Sequence, residues 1–112
     1  MKVLATATIA DGAALSDAVA LGDHRGISTV RIPASWSTGV VSFAVSHDGT
    51  TYVPLYDRDG EVTFPAASSI GFSVDPILFL GWAYAKVRSG TAGSPANQTG
   101  AKAVGLSIRE FA

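Results

Sequence analysis

Two histidines stand beside aspartates in this chain, in the pairs Asp23-His24 and His47-Asp48, and they are the first residues to consider for chemistry. A histidine oriented by a carboxylate can act as a general base. Adjacent residues of a strand, however, point to opposite faces, so neighbours in sequence do not form a ready-made dyad. The serines lack a Gly-x-Ser-x-Gly elbow and the chain has no cysteine, so no nucleophile signature accompanies the histidines. The sequence therefore predicts a protein that is not an enzyme and has no catalytic residue.

A calcium loop is the second chemistry that the residue types offer. The segment Asp57-Arg58-Asp59-Gly60-Glu61 has the acidic spacing that begins an EF-hand loop. Such a loop also needs a third ligand before the glycine and a glutamate six residues after it, where this chain has Ala66. A tight hairpin turn explains the same residues better, and we expect neither a bound metal nor another cofactor.

Composition narrows the class of protein. The chain has 112 residues, 47% of them apolar, which suits one domain spanning residues 1–112. Its net charge is −1 and its charged fraction of 15% is low against an average of about 25%. Without a basic excess we expect no nucleic-acid partner, and without an apolar run of about 20 residues we expect no membrane span. The stretch 2–10 is too short and too polar for a signal peptide, and its pattern predicts a strand.

The elements that must position these residues are short strands closed by turn residues. The clearest is a hairpin of residues 39–46 and 51–56 around Asp48-Gly49, a dipeptide typical of a type I′ turn. Asp75-Pro76 predicts the start of a helical turn over 77–80 that ends at Gly81. The remaining strands are predicted at 3–9, 15–21 (with a short helix as the alternative), 27–32, 61–64, 70–75, 82–88 and 102–111. The pattern indicates an all-β, single-domain antiparallel β-sandwich, jelly-roll-like, with eight or nine short strands and one helical turn near residues 76–80.

Alternation within the strands predicts which side chains are buried. On strand 39–46 we expect alternate residues in the core and in solvent, with Val41, Phe43 and Val45 buried and Ser42, Ala44 and Ser46 opposite. The last strand should likewise bury Val104, Leu106 and Ile108. Strand 82–88 is unusual because one face carries Trp82, Tyr84, Lys86 and Arg88. Either the chain's own helical turn covers the aromatic end of this face, which is the commoner arrangement, or the face binds a partner. The Gly/Ser/Thr-rich segment 89–100 is predicted to be a mobile or partner-contacting loop.

An ordered set of short motifs covers nearly the whole chain and resembles small virion structural proteins of tailed bacteriophages and prophages. The matching positions are Ile9, Gly12, Leu15, Ser16, Val19, Leu21, Gly22, Pro33, Trp36, Phe43, Val45, Ser46, Asp48, Gly49, Thr51, Tyr52, Leu55, Tyr56, Asp57, Gly60, Asp75, Pro76, Phe79, Gly81, Trp82, Lys86, Val87, Arg88, Ser89, Gly90, Thr91, Pro95, Asn97, Gln98 and Arg109.

The resemblance implies a capsid decoration (cement) or head-surface protein, made in the bacterial host cytoplasm and located on the virion. Its partners would be the major capsid protein or other virion proteins, and it would itself be a homo-oligomer, with a trimer expected where three capsid subunits meet. The candidate contact residues are Trp36, Trp82, Tyr84, Lys86, Arg88, Thr91, Pro95 and Asn97.

A second resemblance, to discoidin and galactose-binding jelly rolls, is carried by Ser46, Asp48-Gly49 and Tyr52, followed by a late strand with Trp82 and Lys86-Val87-Arg88. It implies the alternative function of a carbohydrate-binding module that recognises host-surface glycans. Trp36, Tyr52 and Tyr56 would then be the stacking platforms.

Overall fold

A computed structural model describes residues 2–22 and 24–111, and within them the chain is a β-sandwich. Its strands are β1 (Lys2–Ile9), β2 (Val19–Ala20), β3 (Arg25–Arg31), β4 (Val41–Ser46), β5 (Val53–Pro54), β6 (Tyr56–Asp57), β7 (Gly60–Glu61), β8 (Thr63–Phe64), β9 (Gly71–Ser73), β10 (Tyr84–Ser89) and β11 (Lys102–Glu110). A short 3-10 helix, Pro76–Phe79, lies between β9 and β10. The prediction of an all-β sandwich is confirmed.

The strand order has the nested pairing of a jelly roll. One sheet has the order β1-β11-β3-β9, which we call sheet A. The other, sheet B, has the order β2-β10-β4-β5, with β8 also paired to β4, while β6 and β7 form a separate hairpin. Early strands pair antiparallel with late ones, β1 with β11, β2 with β10 and β3 with β9. The chain is thus a long double strand rolled so that successive pairs fall alternately in sheets A and B.

The core lies between the two sheets and is one continuous cluster. Apolar residues of β1, β3, β10 and β11 point into it, and β4 contributes Val41, Phe43 and Val45, which are fully buried. The ring of Phe43 makes edge-on contacts with Phe79 at 5.3 Å and with Phe64 at 6.1 Å between centroids. These contacts tie the 3-10 helix and β8 to the centre of sheet B, because edge-to-face aromatic pairs add to the free energy of burial.

The prediction that Ser42, Ala44 and Ser46 face solvent is wrong, because all six residues of β4 are buried. On this side of sheet B the segment after β4 contacts the neighbouring strand β10, through Tyr52 against Lys86 and Glu61 against Arg88. Ser42 adapts to burial by donating its hydroxyl to Gly90 O at 2.7 Å, and the hydroxyl of Ser46 accepts the amide of Gly49 at 2.9 Å. Alternation misled here because small polar side chains that find hydrogen-bond partners can be buried as readily as apolar ones. The last strand follows its prediction more closely, since Val104, Leu106 and Ile108 are buried.

The predicted count of eight or nine strands is too low, since the described residues contain eleven. Segments 51–56 and 61–64 are divided into four two-residue strands, because Leu55 and Val62 turn inward and are buried. These two residues still bond to each other, Val62 N to Leu55 O at 3.0 Å, so the hairpin bends without opening. Segment 15–21 forms the two-residue strand β2 and isolated bridges, which carry the chain from sheet A to sheet B.

The turn of the central hairpin is not of type I′. That turn needs positive φ at both central residues, but only Gly49 has it, at 80°. Side chains hold the loop instead. Asp48 Oδ1 accepts the amides of Thr50 and Thr51 at 2.8 and 3.0 Å. An aspartate that bonds to the backbone two and three residues ahead builds a wider loop than a two-residue hairpin.

The predicted helical turn is confirmed, as a single 3-10 turn. Asp75 caps it by accepting the amide of Ile77 at 3.1 Å, and Pro76 occupies the first turn. The turn packs directly on β3, where an added Cβ at Gly26 would lie 2.1 Å from Pro76 O. Gly26 therefore permits the close approach of two backbones, and this approach sets where the residues after the turn emerge.

Candidate functional site

The strongest candidate surface surrounds Trp82, which follows the 3-10 turn and precedes β10. Gly81 reverses the chain with φ of 90°, and the amide of Trp82 donates to Phe79 O at 3.0 Å. The next residue, Ala83, donates its amide to Ser46 O at 3.0 Å and so joins this segment to the end of β4. The Trp82 ring is thereby fixed between the 3-10 turn and the central hairpin loop, and it remains half-buried.

The ring of His47 stacks on Trp82, with 4.4 Å between centroids and an interplanar angle of 12°. His47 belongs to the loop that Ser46 and Asp48 organise, and the two carboxylate-bonded amides and the Ser46 hydroxyl hold the pKa of Asp48 down at about 2. Asp48 is consequently ionised at every ordinary pH. Its hydrogen bonds to Ser46, Thr50 and Thr51 all lie within its own loop, so the pair His47-Asp48 forms a turn that carries an aromatic stack.

Two small cavities flank the Trp82 ring. One of about 220 Å³ is lined by Gly22, His24, Arg25, Leu80, Gly81, Trp82, Ala83 and Phe111. The other, of about 190 Å³, is lined by His47, Asp48, Thr51, Val53 and Trp82. Both are smaller than the roughly 300–1,000 Å³ of typical small-molecule sites. Cavities of this size suit single side chains of a partner protein rather than an enclosed ligand.

Exposed apolar side chains border these cavities. Leu80, which lines the larger cavity, is 59% exposed, and Val53, which lines the smaller one, is 43% exposed. Ile77 is 49% exposed and lies three residues before Leu80, on the same side of the 3-10 turn. An aromatic residue surrounded by exposed aliphatic groups is the composition of a protein-contact surface. We call His47, Val53, Ile77, Leu80 and Trp82 together the Trp82 surface.

The other residues on that face of β10 point into a network internal to the chain. Tyr84 lies beneath the hairpin loop, where an added Cβ at Gly49 would be 3.1 Å from its ring. Lys86 Nζ lies 4.4 Å from the centroid of the Tyr52 ring, a cation–π contact. Burial raises the pKa of the Tyr52 hydroxyl, with smaller contributions from Tyr84 and Asp48, and among the described residues that hydroxyl has no hydrogen-bond partner. The central hairpin, rather than the predicted 3-10 turn, is therefore what covers this face.

Arg88 ends the same network in an ion pair. Its Nη1 lies 3.4 Å from Glu61 Oε2 and 3.4 Å from Ser42 Oγ, and both charged side chains are only 12–13% exposed. Glu61 also accepts the amide of Ala92 at 3.0 Å. Glu61, the last residue of the segment with calcium-loop spacing, thus joins three parts of the fold, and Asp57–Gly60 forms the hairpin turn that the sequence favoured.

Trp36 lies in the core. It is 7% exposed, its Nε1 donates to Gly39 O at 3.1 Å, and its amide donates to Ser68 Oγ at 2.8 Å. The structure therefore separates Trp36 from Trp82 in exposure, and only Trp82 contributes to the surface described above.

Segment 89–100 is anchored rather than free. Gln98 is 1% exposed, and its side chain accepts the amide of Ser37 at 2.9 Å and donates to Thr38 O at 3.0 Å. The hydroxyl of Ser89 donates to Ala96 O, and Gly90 bridges to Pro95. The prediction of a mobile loop is not supported by this bonding. Pro95 and Asn97 are exposed, and Thr91 is half-buried.

Sequence reasoning did not single out Gln98 or Glu61 as anchors. A glutamine inside a Gly/Ser/Thr-rich stretch resembles a solvated loop residue, and its burial depends on backbone groups about 60 positions away in sequence. The side-chain chemistry offered one indication. Gln98 has the longest side chain of segment 96–99 that can donate to a carbonyl and accept from an amide at the same time.

The described residues bring hydroxyls together without a base beside them. Ser107 Oγ lies 2.7 Å from Ser28 Oγ and also bonds to Thr29 Oγ1, at the bulge between β11 and β3. No group of three or more His, Cys, Asp or Glu that could hold a metal occurs in residues 2–22 and 24–111. Within the same ranges no helix is long and apolar enough to cross a bilayer. The pair Asp23-His24 is not fully placed, since Asp23 lies outside the described residues, whereas His24 borders the larger cavity.

Comparison of the chain with protein-family models, with curated proteins and with solved structures found no match.

Proposed function

We propose that this chain is a bacteriophage virion structural protein, a capsid decoration (cement) or head-surface protein that binds the major capsid protein lattice. The Trp82 surface would be the contact, with the two small cavities receiving side chains of the capsid subunits. The observation that carries the proposal is the combination of a fixed aromatic stack with exposed Leu80, Val53 and Ile77 around it.

The proposed binding depends on the burial of apolar surface and needs no catalytic group. Covering exposed aliphatic side chains and a half-exposed Trp gives association free energy in proportion to apolar area, and Trp is prominent among residues that dominate such interfaces. A protein that binds only the assembled lattice stabilises that lattice by mass action. The low charged fraction of 15% keeps the desolvation cost of such contact small.

Co-sedimentation with capsids assembled without this chain tests the proposal. We expect saturable binding at a fixed copy number, weakened about 30-fold by Trp82→Ala, as for a central aromatic anchor. Leu80→Lys places a charge in the contact without removing core volume and should weaken binding similarly. Tyr56→Ala is the matched control, because Tyr56 is an exposed aromatic, 61% exposed, that lies outside the Trp82 surface.

Absence of binding by the folded wild-type chain, or equal binding by all variants, would refute the proposal. Thermal melting of each variant separates lost contact from lost fold.

The alternative function, glycan binding, is supported by one exposed aromatic side chain on which a sugar could stack. Of its three predicted aromatics, Trp36 is buried and Tyr52 is half-buried against Lys86, while Tyr56 is open. A glycan array distinguishes the two functions: a signal that Tyr56→Ala removes and Trp82→Ala does not would favour sugar recognition.

A further inference from the structure

Strand β1 has one edge that pairs with β11 and one that is mostly open. Thr8 shows which backbone groups face the open edge, because its amide donates to Asp17 Oδ1 at 2.8 Å and its carbonyl accepts the amide of Asp17 at 3.1 Å. In an antiparallel strand the direction of N–H and C=O alternates with each residue. The backbone groups of Lys2, Leu4 and Thr6 therefore also point away from β11. Among the described residues, no strand pairs with this part of β1.

Between Lys2 and Thr8 this open edge lacks the features that normally prevent pairing. Proteins protect exposed edges with charges, prolines, bulges or short strands. Residues 3–7 contain none of these, and β1 is eight residues long. Leu4 lies in the middle of the open edge and is 75% exposed, the most exposed large apolar residue of the described chain.

We propose that β1 pairs with β1 of a second copy of this chain, antiparallel and across a two-fold axis at Leu4. In this register Leu4 lies opposite Leu4 of the second copy, and Lys2 lies opposite Thr6. Lys2, Leu4 and Thr6 of each copy, whose backbone groups face the open edge, then form backbone hydrogen bonds with the other copy, about six bonds in total. The pairing ends before Thr8, because the backbone amide and carbonyl of Thr8 are already bonded to Asp17. Sheet A of each copy becomes half of a continuous eight-stranded sheet.

The occupant is a second copy because the edge is self-complementary. A two-fold interface requires each residue to meet an acceptable partner from the same short sequence. Here the two exposed leucines cover each other on the outer face, and Val3 meets Ala5 on the inner face, where both are half-buried. The charges are compatible, because Lys2 meets Thr6 and no like charges face each other. This arrangement is a pair and differs from the trimer that the sequence resemblance implies. It does not depend on the proposed function.

A single cysteine gives a direct test, since the chain has none of its own. Leu4→Cys places a thiol opposite its own copy at a hydrogen-bonded position, where Cα atoms are about 5.5 Å apart and a disulfide can form. Thr8→Cys is the matched control. It lies on the same exposed face of the same strand, but its symmetry mate is roughly 27 Å away at 3.4 Å per residue. We expect rapid oxidation of Leu4→Cys to a disulfide dimer and at least about tenfold slower crosslinking of Thr8→Cys.

The mass of the untagged protein in solution is the second measurement. We expect twice the 11.5 kDa of one chain. Leu4→Lys and Thr6→Pro should give the monomer mass with an unchanged melting temperature of the monomer fold. The proline removes only an amide that faces the open edge, which is where edge strands accept proline. Leu80→Lys adds the same charge at another exposed leucine and should leave the pair intact.

A monomeric wild type at the highest soluble concentration would overturn the inference. A trimer or dimer that survives Leu4→Lys and Thr6→Pro would overturn it too, as would equal crosslinking at positions 4 and 8. Capsid binding is not part of this readout, so the two proposals fail separately.

Discussion

Replacing Gly26 by alanine tests the account of how the Trp82 surface is positioned. A Cβ at this position would lie 2.1 Å from Pro76 O, 2.8 Å from Pro76 C and 2.9 Å from Pro76 Cα. All three are backbone atoms of the 3-10 turn, so no side-chain rotation relieves the contact. The turn would have to move by roughly an ångström before the distance from the Cβ to Pro76 O reached 3.0 Å, the shortest that Cβ atoms in proteins normally show.

The turn is anchored on both sides, and its displacement is therefore costly. Phe79 is fully buried against Phe43, and Asp75 caps the first turn. Overpacking of this kind costs about 2–3 kcal/mol in the free energy of unfolding. For a chain of this size that corresponds to a fall in Tm of roughly 10–15 °C. Calorimetry and urea unfolding measure both quantities.

Gly71→Ala is the matched control for this substitution. Gly71 lies in β9 of the same sheet, and its added Cβ would meet Val30 O at an ordinary 3.6 Å. We expect a change of less than about 0.5 kcal/mol, since exposed substitutions away from special features have small effects. If Gly26→Ala is no more destabilising than Gly71→Ala, the close packing of the turn on β3 is not what holds the Trp82 surface in place.

Three further expectations concern the polar anchors. Glu61→Gln should lower the free energy of unfolding by about 1–3 kcal/mol, because it leaves Arg88 without a carboxylate in a largely desolvated site; urea unfolding measures this, and no loss of stability would contradict it. Gln98→Ala should cost about 1–3 kcal/mol by removing two hydrogen bonds to the backbone of Ser37 and Thr38, and it should make segment 89–100 sensitive to protease; unchanged proteolysis would show that the segment is held otherwise. Because the folded pKa of Asp48, about 2, lies below its ordinary 3.8, its contribution to the hairpin loop is complete above pH 3.8 and is lost as the pH falls towards 2. The protection factor of the Thr51 amide, which is its exchange rate corrected for the intrinsic pH dependence, should fall over that window, and Asp48→Asn should remove this change.

Local rules were sufficient to predict the strands and the cap of the helical turn. Alternation placed β1, β3, β10 and β11 within one or two residues, and Asp75-Pro76 marked the turn correctly. These features depend on neighbouring residues, whose effects can be read along the chain. The type I′ turn failed because Asp48 bonds to amides of its own loop and so selects a wider loop.

Features that depend on distant pairing could not be predicted. The burial of Ser42 needs Gly90, 48 positions away, and the coverage of Tyr84 needs the loop at Gly49. The nested strand order has the same origin, since no local signal says that β1 pairs with β11. For the candidate surface, the sequence indicated Trp82 as an unusual residue on its strand. It did not indicate that Trp36 would be buried, because both tryptophans stand near turns and only the packing distinguishes them.

The two proposed contacts, if both hold, determine how a pair would meet a lattice. A two-fold axis that places both Leu4 side chains on one face is perpendicular to sheet A, so both copies present that face in the same direction and their strands run in opposite directions. The Trp82 surface lies at the Lys2 end of β1, because Phe111 borders its larger cavity and Lys2 pairs with Arg109. The pair therefore turns its two Trp82 surfaces in opposite directions along the strands, so that each surface can contact a different capsid subunit. Leu4→Lys should then weaken capsid binding by about 10²-fold or more through lost avidity, although Leu4 lies outside the Trp82 surface. Equal capsid affinity for Leu4→Lys and the wild type would show that pairing through β1 does not strengthen capsid binding through the Trp82 surface.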